Sequence, residues 1–248
     1  MMLEIIDKVS NYSCVVSIHE KYVKYFKNTL PFSTKLNVWK EEVYLNTPVK
    51  IPSNELVPAY KVRLGRLYYW PPEQSLCLFY GASEAYTPVS EVGTVVGPLY
   101  YLRYFSSGDE AEVRVHELSP QLSRLAKYVG SLGYLVASVV NGDVTALAAT
   151  KFLGGDCRSS FLVFSEDFGY HLESDAFFRL SESLNDRVLF SSLKSYVNSL
   201  TKYLRLDINE DGYAVLTAGV GTLNELLESI NELEVILPLL KERFGIYF

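Results

Sequence analysis

The chain has 248 residues, 48% of them hydrophobic and 21% charged, which suits one large or two ordinary globular domains and argues against general disorder. A net charge of −6 argues against the clustered Lys and Arg that nucleic acid requires, and no run of about 18 uncharged apolar residues is available for a membrane span. The opening residues MMLEIIDKVSNYS carry Glu4 and Asp7 and lack the basic-then-apolar order of a secretory signal, so the expectation is a cytoplasmic protein with no nucleic-acid or membrane partner.

The first half reads as short strands. YSCVVSIH is a β-branched run, and in EKYVKYFKNTL the spacing of Tyr22, Val23, Phe26 and Leu30 predicts one short helix, stopped by Pro31. KLNVWKEEVYLNTPVKI, AYKVRLGRLYYW, SLCLFYG, VSEVGTVVGPLYYLRYF and AEVRVHEL then follow as β-rich segments punctuated by Pro, Gly, Asn and Ser, at the spacing of an all-β barrel or sandwich. Eight of the ten prolines fall in this half, and the texture changes near residue 117.

Beyond that point the pattern is α+β. In LSPQLSRLAKYVGSLG, Ser119 is the predicted N-cap, Pro120 the first helical residue and Gly133 the stop. YLVASVVNGDVTALAATKFL reads as a hairpin around Asn141-Gly142, SFLVFSEDFGYHLES as a second, and YLRLDINEDGYAVLTAG as a third around Asp211-Gly212. Leu180, Leu184, Val188, Leu193, Val197 and Leu200 make a helical stripe over about 175–202, interrupted at Asn185-Asp186. Thr222 and Glu225 form a capping box for a last helix that Pro238 should end or kink. The domains expected are therefore 1–117 and 118–248, with no internal repeat.

LPFSTKLNVWKEEVYLNTPVKI, GRLYYWPPEQSLCLFYG and PVSEVGTVVG together carry a family pattern. It runs through Leu30-Pro31, Trp39, Glu41, Gly65, Tyr69-Trp70-Pro71-Pro72, Phe79-Tyr80-Gly81, Pro88-Val89 and Gly93. Over about residues 13–115 the chain resembles the small cyclophilin-like β-barrel proteins of archaea and thermophilic bacteria, a family without an assigned function. The resemblance implies an N-terminal all-β cyclophilin-like closed barrel with one short helix, ahead of the C-terminal α+β domain of hairpins and helices. Three positions depart from it: Lys40 and Glu73 stand where the family usually has glycine, and ASEAYTPVS lacks its Pro-Thr-Pro. Two glutamines and two methionines against 19 tyrosines also fit a thermophilic source.

Within GRLYYWPPEQSLCLFYG, Tyr69 and Trp70 end one strand and Pro71-Pro72 prevent further ladder pairing before the next. Alternation puts the two rings on opposite faces, one for the core and one for solvent or a ligand, and Gly81 allows a positive φ or a close backbone approach. The candidate ligand-binding residues are Arg66, Tyr69, Trp70, Glu73, Tyr80 and Tyr86. A rigid barrel corner of packed aromatics explains the same residues without a ligand.

Other chemistries are poorly served. GxSxG, P-loop, HExxH and GxGxxG patterns are absent, and Gly154-Gly155 reads as a turn before a strand. Three widely spaced cysteines, Cys14, Cys77 and Cys157, fit small buried hydrophobes, although Arg158 beside Cys157 could lower a thiol pKa. Three scattered histidines offer no metal set, Glu41-Glu42 and Glu166-Asp167 read as solvated strand or turn positions, and no metal or cofactor is expected. The Phe-His-Arg and Gln/Gly-rich blocks of true cyclophilins are missing, the only glutamines being Gln74 and Gln121.

These features favour a non-catalytic module holding a small molecule or an extended peptide on an aromatic surface near Trp70. A divergent peptidyl-prolyl cis-trans isomerase is the enzymatic alternative. A structural or assembly protein acting through homo-oligomerisation is the third, since the last helix and the tail aromatics Phe244, Tyr247 and Phe248 could dock on their own domain or on a partner copy.

Overall fold

A computed structural model of the chain describes residues 1–246. The backbone divides into two compact units: Met1–Arg124 with Ala137–Thr145, and Leu125–Val136 with the residues from Ala146 onward.

The first unit is a closed antiparallel barrel. Its elements are β1 (Met2–Asp7), β2 (Tyr12–Ile18), α1 (Glu20–Phe26), β3 (Phe32–Trp39), β4 (Glu42–Asn46), β5 (Arg66–Trp70), β6 (Ser75–Phe79), β7 (Ser90–Val96) and β8 (Glu110–Val115). The eight strands run in the order β1-β8-β3-β4-β6-β5-β7-β2, and β1 pairs with β2 to close the ring. Closure removes the exposed edges that an open sheet would offer to aggregation.

Period-2 alternation fills the interior. Val43 and Leu45 of β4, Leu67 and Tyr69 of β5, and Leu76 and Leu78 of β6 all join one buried cluster. Tyr22 and Phe26, one helical turn apart on α1, complete it with no exposed area, each contributing roughly 1.5–3 kcal/mol by leaving water. The helix stops at Phe26, short of Pro31.

The other face of β4, β6 and β5 is apolar as well, which is unusual for a barrel exterior. Tyr68, Cys77, Phe79 and Val89 form a second buried cluster there, with Tyr44, Ala59, Val62, Leu64, Trp70 and Ala85 packed against it. All five residues of β6, SLCLF, are consequently buried, although the strand lies in the wall of the barrel.

The second unit holds most of α2 (Ser123–Ser131), the start of β9 (Leu135–Asn141) and nearly all of β10 (Val144–Gly154). Then follow β11 (Cys157–Glu166), β12 (Gly169–Ser174), α3 (Leu184–Leu200), β13 (Arg205–Ile208), β14 (Ala214–Val220) and α4 (Leu223–Phe244). An antiparallel sheet in the order β10-β11-β12-β14-β13 carries α4 on β11, β12 and β14, and α3 on β13. The β11–β12 and β13–β14 hairpins form, with Asp211-Gly212 in the turn of the latter and Gly212 at φ 82°. Gly154 and Gly155 occupy the turn between β10 and β11, both at positive φ.

Two helical expectations are corrected. α3 begins only at Leu184, because Ser183 caps it by accepting from the Asp186 amide; Asn185-Asp186 is thus a first turn, where the acidic side chain suits the helix dipole. α4 runs through Pro238 to Phe244. Burial of Ile236, Leu237 and Leu240 on both sides of Pro238 outweighs the roughly 3 kcal/mol that an interior proline costs. The Thr222–Glu225 capping box is formed in full. Phe244 packs edge-on against Tyr196; Tyr247 and Phe248 lie outside the described residues. No described helix is long and apolar enough to cross a membrane.

Candidate functional site

A groove of about 310 Å³ lies on the outer face of the barrel. Its lining comes from four strands and one loop: Trp39 of β3, Glu42 and Tyr44 of β4, Trp70 of β5, Cys77 of β6, and Ala85, Tyr86, Thr87 and Val89 of the segment 81–89. Register explains the floor. Trp39 pairs with Glu42, and Tyr44 with Cys77, so residues distant in sequence share one surface.

The loop is held against that surface by polar ties at several points. The Glu41 carboxylate accepts from the Ala82 amide at 2.6 Å and from Arg103 at 3.0 Å, while the Glu41 amide donates to Ser83 Oγ at 2.9 Å. Glu84 accepts from the Val62 amide at 3.0 Å, and Ala59 and Val89 form an isolated β-bridge. Trp70 Nε1 donates to Thr87 Oγ1 at 2.7 Å, locking the indole to the loop. Gly81 serves the close approach: a Cβ there would fall 2.2 Å from Glu41 Oε2.

Aromatic rings make the walls. Trp39 and Tyr86 meet edge to face with centroids 6.4 Å apart and planes at 88°. Trp39 is 37% exposed and Tyr86 83%, so both stand at the mouth, while Trp70 and Tyr44 are half-buried. Lys40 Nζ sits 4.2 Å from the Trp39 ring centroid without lining the groove.

Glu42 is the unusual member. It is only 6% exposed, and among the described residues no cation pairs with it; its polar neighbour is the Cys77 thiol. Burial pushes the Glu42 carboxyl above the usual carboxylate range, with the Cys77 thiol acting in the opposite direction. Burial and the neighbouring Glu42 push the Cys77 thiol well up, and burial raises the Tyr44 phenol.

Of the candidate residues from the sequence, the groove brings together Trp70 and Tyr86. Tyr69 is 1% exposed inside the barrel, donating to the Val49 carbonyl at 2.9 Å. Tyr80 donates to the Lys40 carbonyl at 3.1 Å with its ring under Arg103. Glu73 is exposed in the turn after Pro71-Pro72, and Arg66 faces Glu91 at 3.6 Å and Thr94 at 3.4 Å. Trp39, Glu42, Tyr44 and Cys77 are additions. Glu42 corrects the reading of Glu41-Glu42 as solvated: Glu42 is buried by a loop some forty residues downstream, and Glu41 anchors that loop. Alternation along VWKEEVYL already put Glu42 and Tyr44 on one face, but nothing local said that the face is covered.

Cys14, Cys77 and Cys157 are all buried free thiols. Burial raises the Cys157 thiol, and the Arg158 guanidinium turns to Asp175 at 2.7 Å, so the adjacent cation does not activate it. Among the described residues no three His, Cys, Asp or Glu side chains gather in a way that could hold a metal ion.

The cyclophilin-like family model matches residues 1–115. The N-terminal half is a cyclophilin-like domain. No curated protein matches the chain. Among solved structures, the solution structure of the hypothetical protein AF2241 from Archaeoglobus fulgidus is similar at 23% identity, over 46% of this chain and 93% of that one, with a TM-score of 0.38. The structure of McbB in complex with tryptophan is similar at 15% identity, over 52% of this chain and 54% of that one, also at 0.38. The outer groove belongs wholly to the cyclophilin-like domain.

Proposed function

We propose that the cyclophilin-like domain is a non-catalytic, cytoplasmic binding module that holds a small molecule or a side chain of an extended peptide in the outer groove beside Trp70. The observation that carries this reading is the pinned loop 81–89. Its polar ties hold an aromatic-walled cleft of about 310 Å³ open where a barrel exterior would ordinarily be solvated, near the small end of the range for ligand sites. Support over the isomerase alternative comes from the lining, which contains no arginine to favour a twisted prolyl amide. The cytoplasmic placement rests on composition.

The chain supplies its own probe. Its two tryptophans, Trp39 and Trp70, both line the groove, so intrinsic fluorescence reads this site. Titration with a panel of neutral aromatics, aliphatic alcohols, carboxylates, ammonium salts and unstructured peptides should give saturable changes with at least one class. Those changes should vanish in Tyr86→Ala, while prolyl cis–trans isomerisation of a test peptide stays at background. A panel without response, or accelerated isomerisation, would reject the proposal.

A further inference from the structure

We infer that the groove recognises an organic cation, and specifically an alkylated ammonium group, with Glu42 as its counter-charge and the rings of Trp39, Tyr44, Trp70 and Tyr86 as its cage. This rests on the binding-module reading and narrows it to a ligand class.

The first argument is the unmet charge. A carboxyl group only 6% exposed, with no cation partner among the described residues, is costly to ionise in place. A barrel needing only to be stable would put an apolar side chain at position 42. A cation entering the groove supplies what the floor lacks. Burial has raised the carboxyl's proton affinity, and an incoming positive charge would reverse that.

The walls give the second argument. Aromatic faces attract cations through their quadrupole, most strongly for tryptophan and most effectively when the cation leaves water. Four rings contribute here, two of them indoles. Trp39 already takes a cation in the fold, since Lys40 Nζ lies 4.2 Å from its ring centroid.

The ring faces select the alkylated form. A primary ammonium carries three N–H donors and leaves a cost for each one unmet. In this groove Glu42 is the one charged acceptor among the lining residues, and four aromatic rings make up most of the rest, Thr87 already taking the Trp70 N–H. A quaternary ammonium asks for no hydrogen bonds, and its methyl groups suit ring faces. Trp39 and Tyr86, at right angles and both exposed, sit where they could close over such a group.

The test compares choline with its uncharged carbon isostere by tryptophan fluorescence, on the full chain and on Glu42→Gln and Tyr86→Ala. Choline should bind at least about tenfold tighter than the isostere, the scale of a desolvated cation–π and charge contact. Glu42→Gln should cut that preference several-fold, to what the rings alone supply, while leaving isostere binding in place. Tyr86→Ala, at an exposed loop position that should not affect folding, should weaken choline more than the isostere. Equal binding of both probes, unmoved by Glu42→Gln, would overturn the cation inference and leave the binding module standing. No response to either probe, with other panel members still saturating, would overturn it in the same way. Silence across the whole panel would remove both readings.

Discussion

Two buried carboxylates, Asp175 in the second unit and Glu42 in the first, are treated in opposite ways. In the second unit Asp175, 7% exposed, meets Arg158 Nη1 at 2.7 Å and caps the Ala176 amide at 3.0 Å. Arg158 is itself only 1% exposed and also donates to Thr150 at 3.2 Å, with Ser160 bonded to Thr150 beside it. The Asp175 carboxylate is thus neutralised from within the fold. In the barrel Glu42 is just as buried, yet its polar neighbour is a thiol and its open side faces a groove. A buried charge that the fold neutralises is structural. One that the fold leaves open is the group the proposed cation would meet.

The sharpest way to break this comparison is to remove the internal partner. Arg158→Leu should destabilise the second unit by about 3–5 kcal/mol in chemical denaturation, because it strands Asp175. Replacing both Arg158 and Asp175 with leucine should recover most of that loss, since a well-packed apolar pair matches a buried ion pair. A single variant losing under about 1 kcal/mol would mean that Arg158 is not what makes burial of the Asp175 carboxylate tolerable.

Glu42 should answer with the opposite sign. Its carboxyl has a raised pKa in the fold, so between the unfolded and folded values the native state binds more protons and stability rises as pH falls. Glu42→Gln should therefore be more stable than the parent at neutral pH, by no more than about 1 kcal/mol because part of the group still meets water, and the two melting curves should converge in acid. Ligand binding should run the other way. Affinity for a quaternary cation should be full above the raised Glu42 pKa and should decline at a higher pH than for an ordinary surface carboxylate. The titratable groups sharing the pocket with Glu42 are Cys77, Tyr44 and Tyr86; the first two are shifted upward, with Glu73 acting on both of those. A cation affinity flat from neutral pH into acid would remove Glu42 from the site.

How much of this was legible beforehand follows from range. The barrel was readable because its strands, turns and Trp-Pro-Pro corner are local patterns. Trp70 and Tyr86 were legible as candidates because exposed-seeming aromatics near a corner are conspicuous. Tyr69 and Tyr80 are equally aromatic, and alternation alone could not say that Tyr69 faces the sealed interior. Glu42 looked solvated beside Glu41, since its burial comes from the loop 81–89. Likewise Pro238 reads as a helix stop or kink, and the packing of Ile236, Leu237 and Leu240 carries α4 past it.

Loop position can be tested at Gly81. In Gly81→Ala the new methyl would displace the Glu41 carboxylate, the end of a flexible side chain, from the Ala82 amide and Arg103. The stability cost should stay near 1 kcal/mol, the worth of one or two exposed charge-assisted bonds. The groove should suffer more: Trp70 emission should shift and choline binding weaken several-fold, because Ala85, Tyr86 and Thr87 hang from that anchor. Unchanged emission and affinity would show that Glu84, Thr87 and the Ala59–Val89 bridge hold the loop without Glu41.

The smallest effect is expected at Lys40, one of the positions where the sequence departs from the glycine of the cyclophilin-like barrels it resembles. Lys40 occupies the two-residue turn between β3 and β4 at φ 55°, a left-handed conformation that costs a side-chain-bearing residue about 1 kcal/mol and glycine almost nothing. Lys40→Gly removes that strain, but it also loosens the unfolded chain and takes away the ammonium stacked on Trp39. The opposing terms should leave stability within about 0.5 kcal/mol of the parent, which thermal melting will resolve only as a degree or two. The same variant informs on the cage. If Lys40 competes for the face of Trp39, Lys40→Gly should bind choline more tightly than the parent; if it occupies the far face, affinity should fall slightly or hold. Since Lys40 is absent from the groove lining, the expected result is the second, with the inner face of Trp39 already free for a ligand.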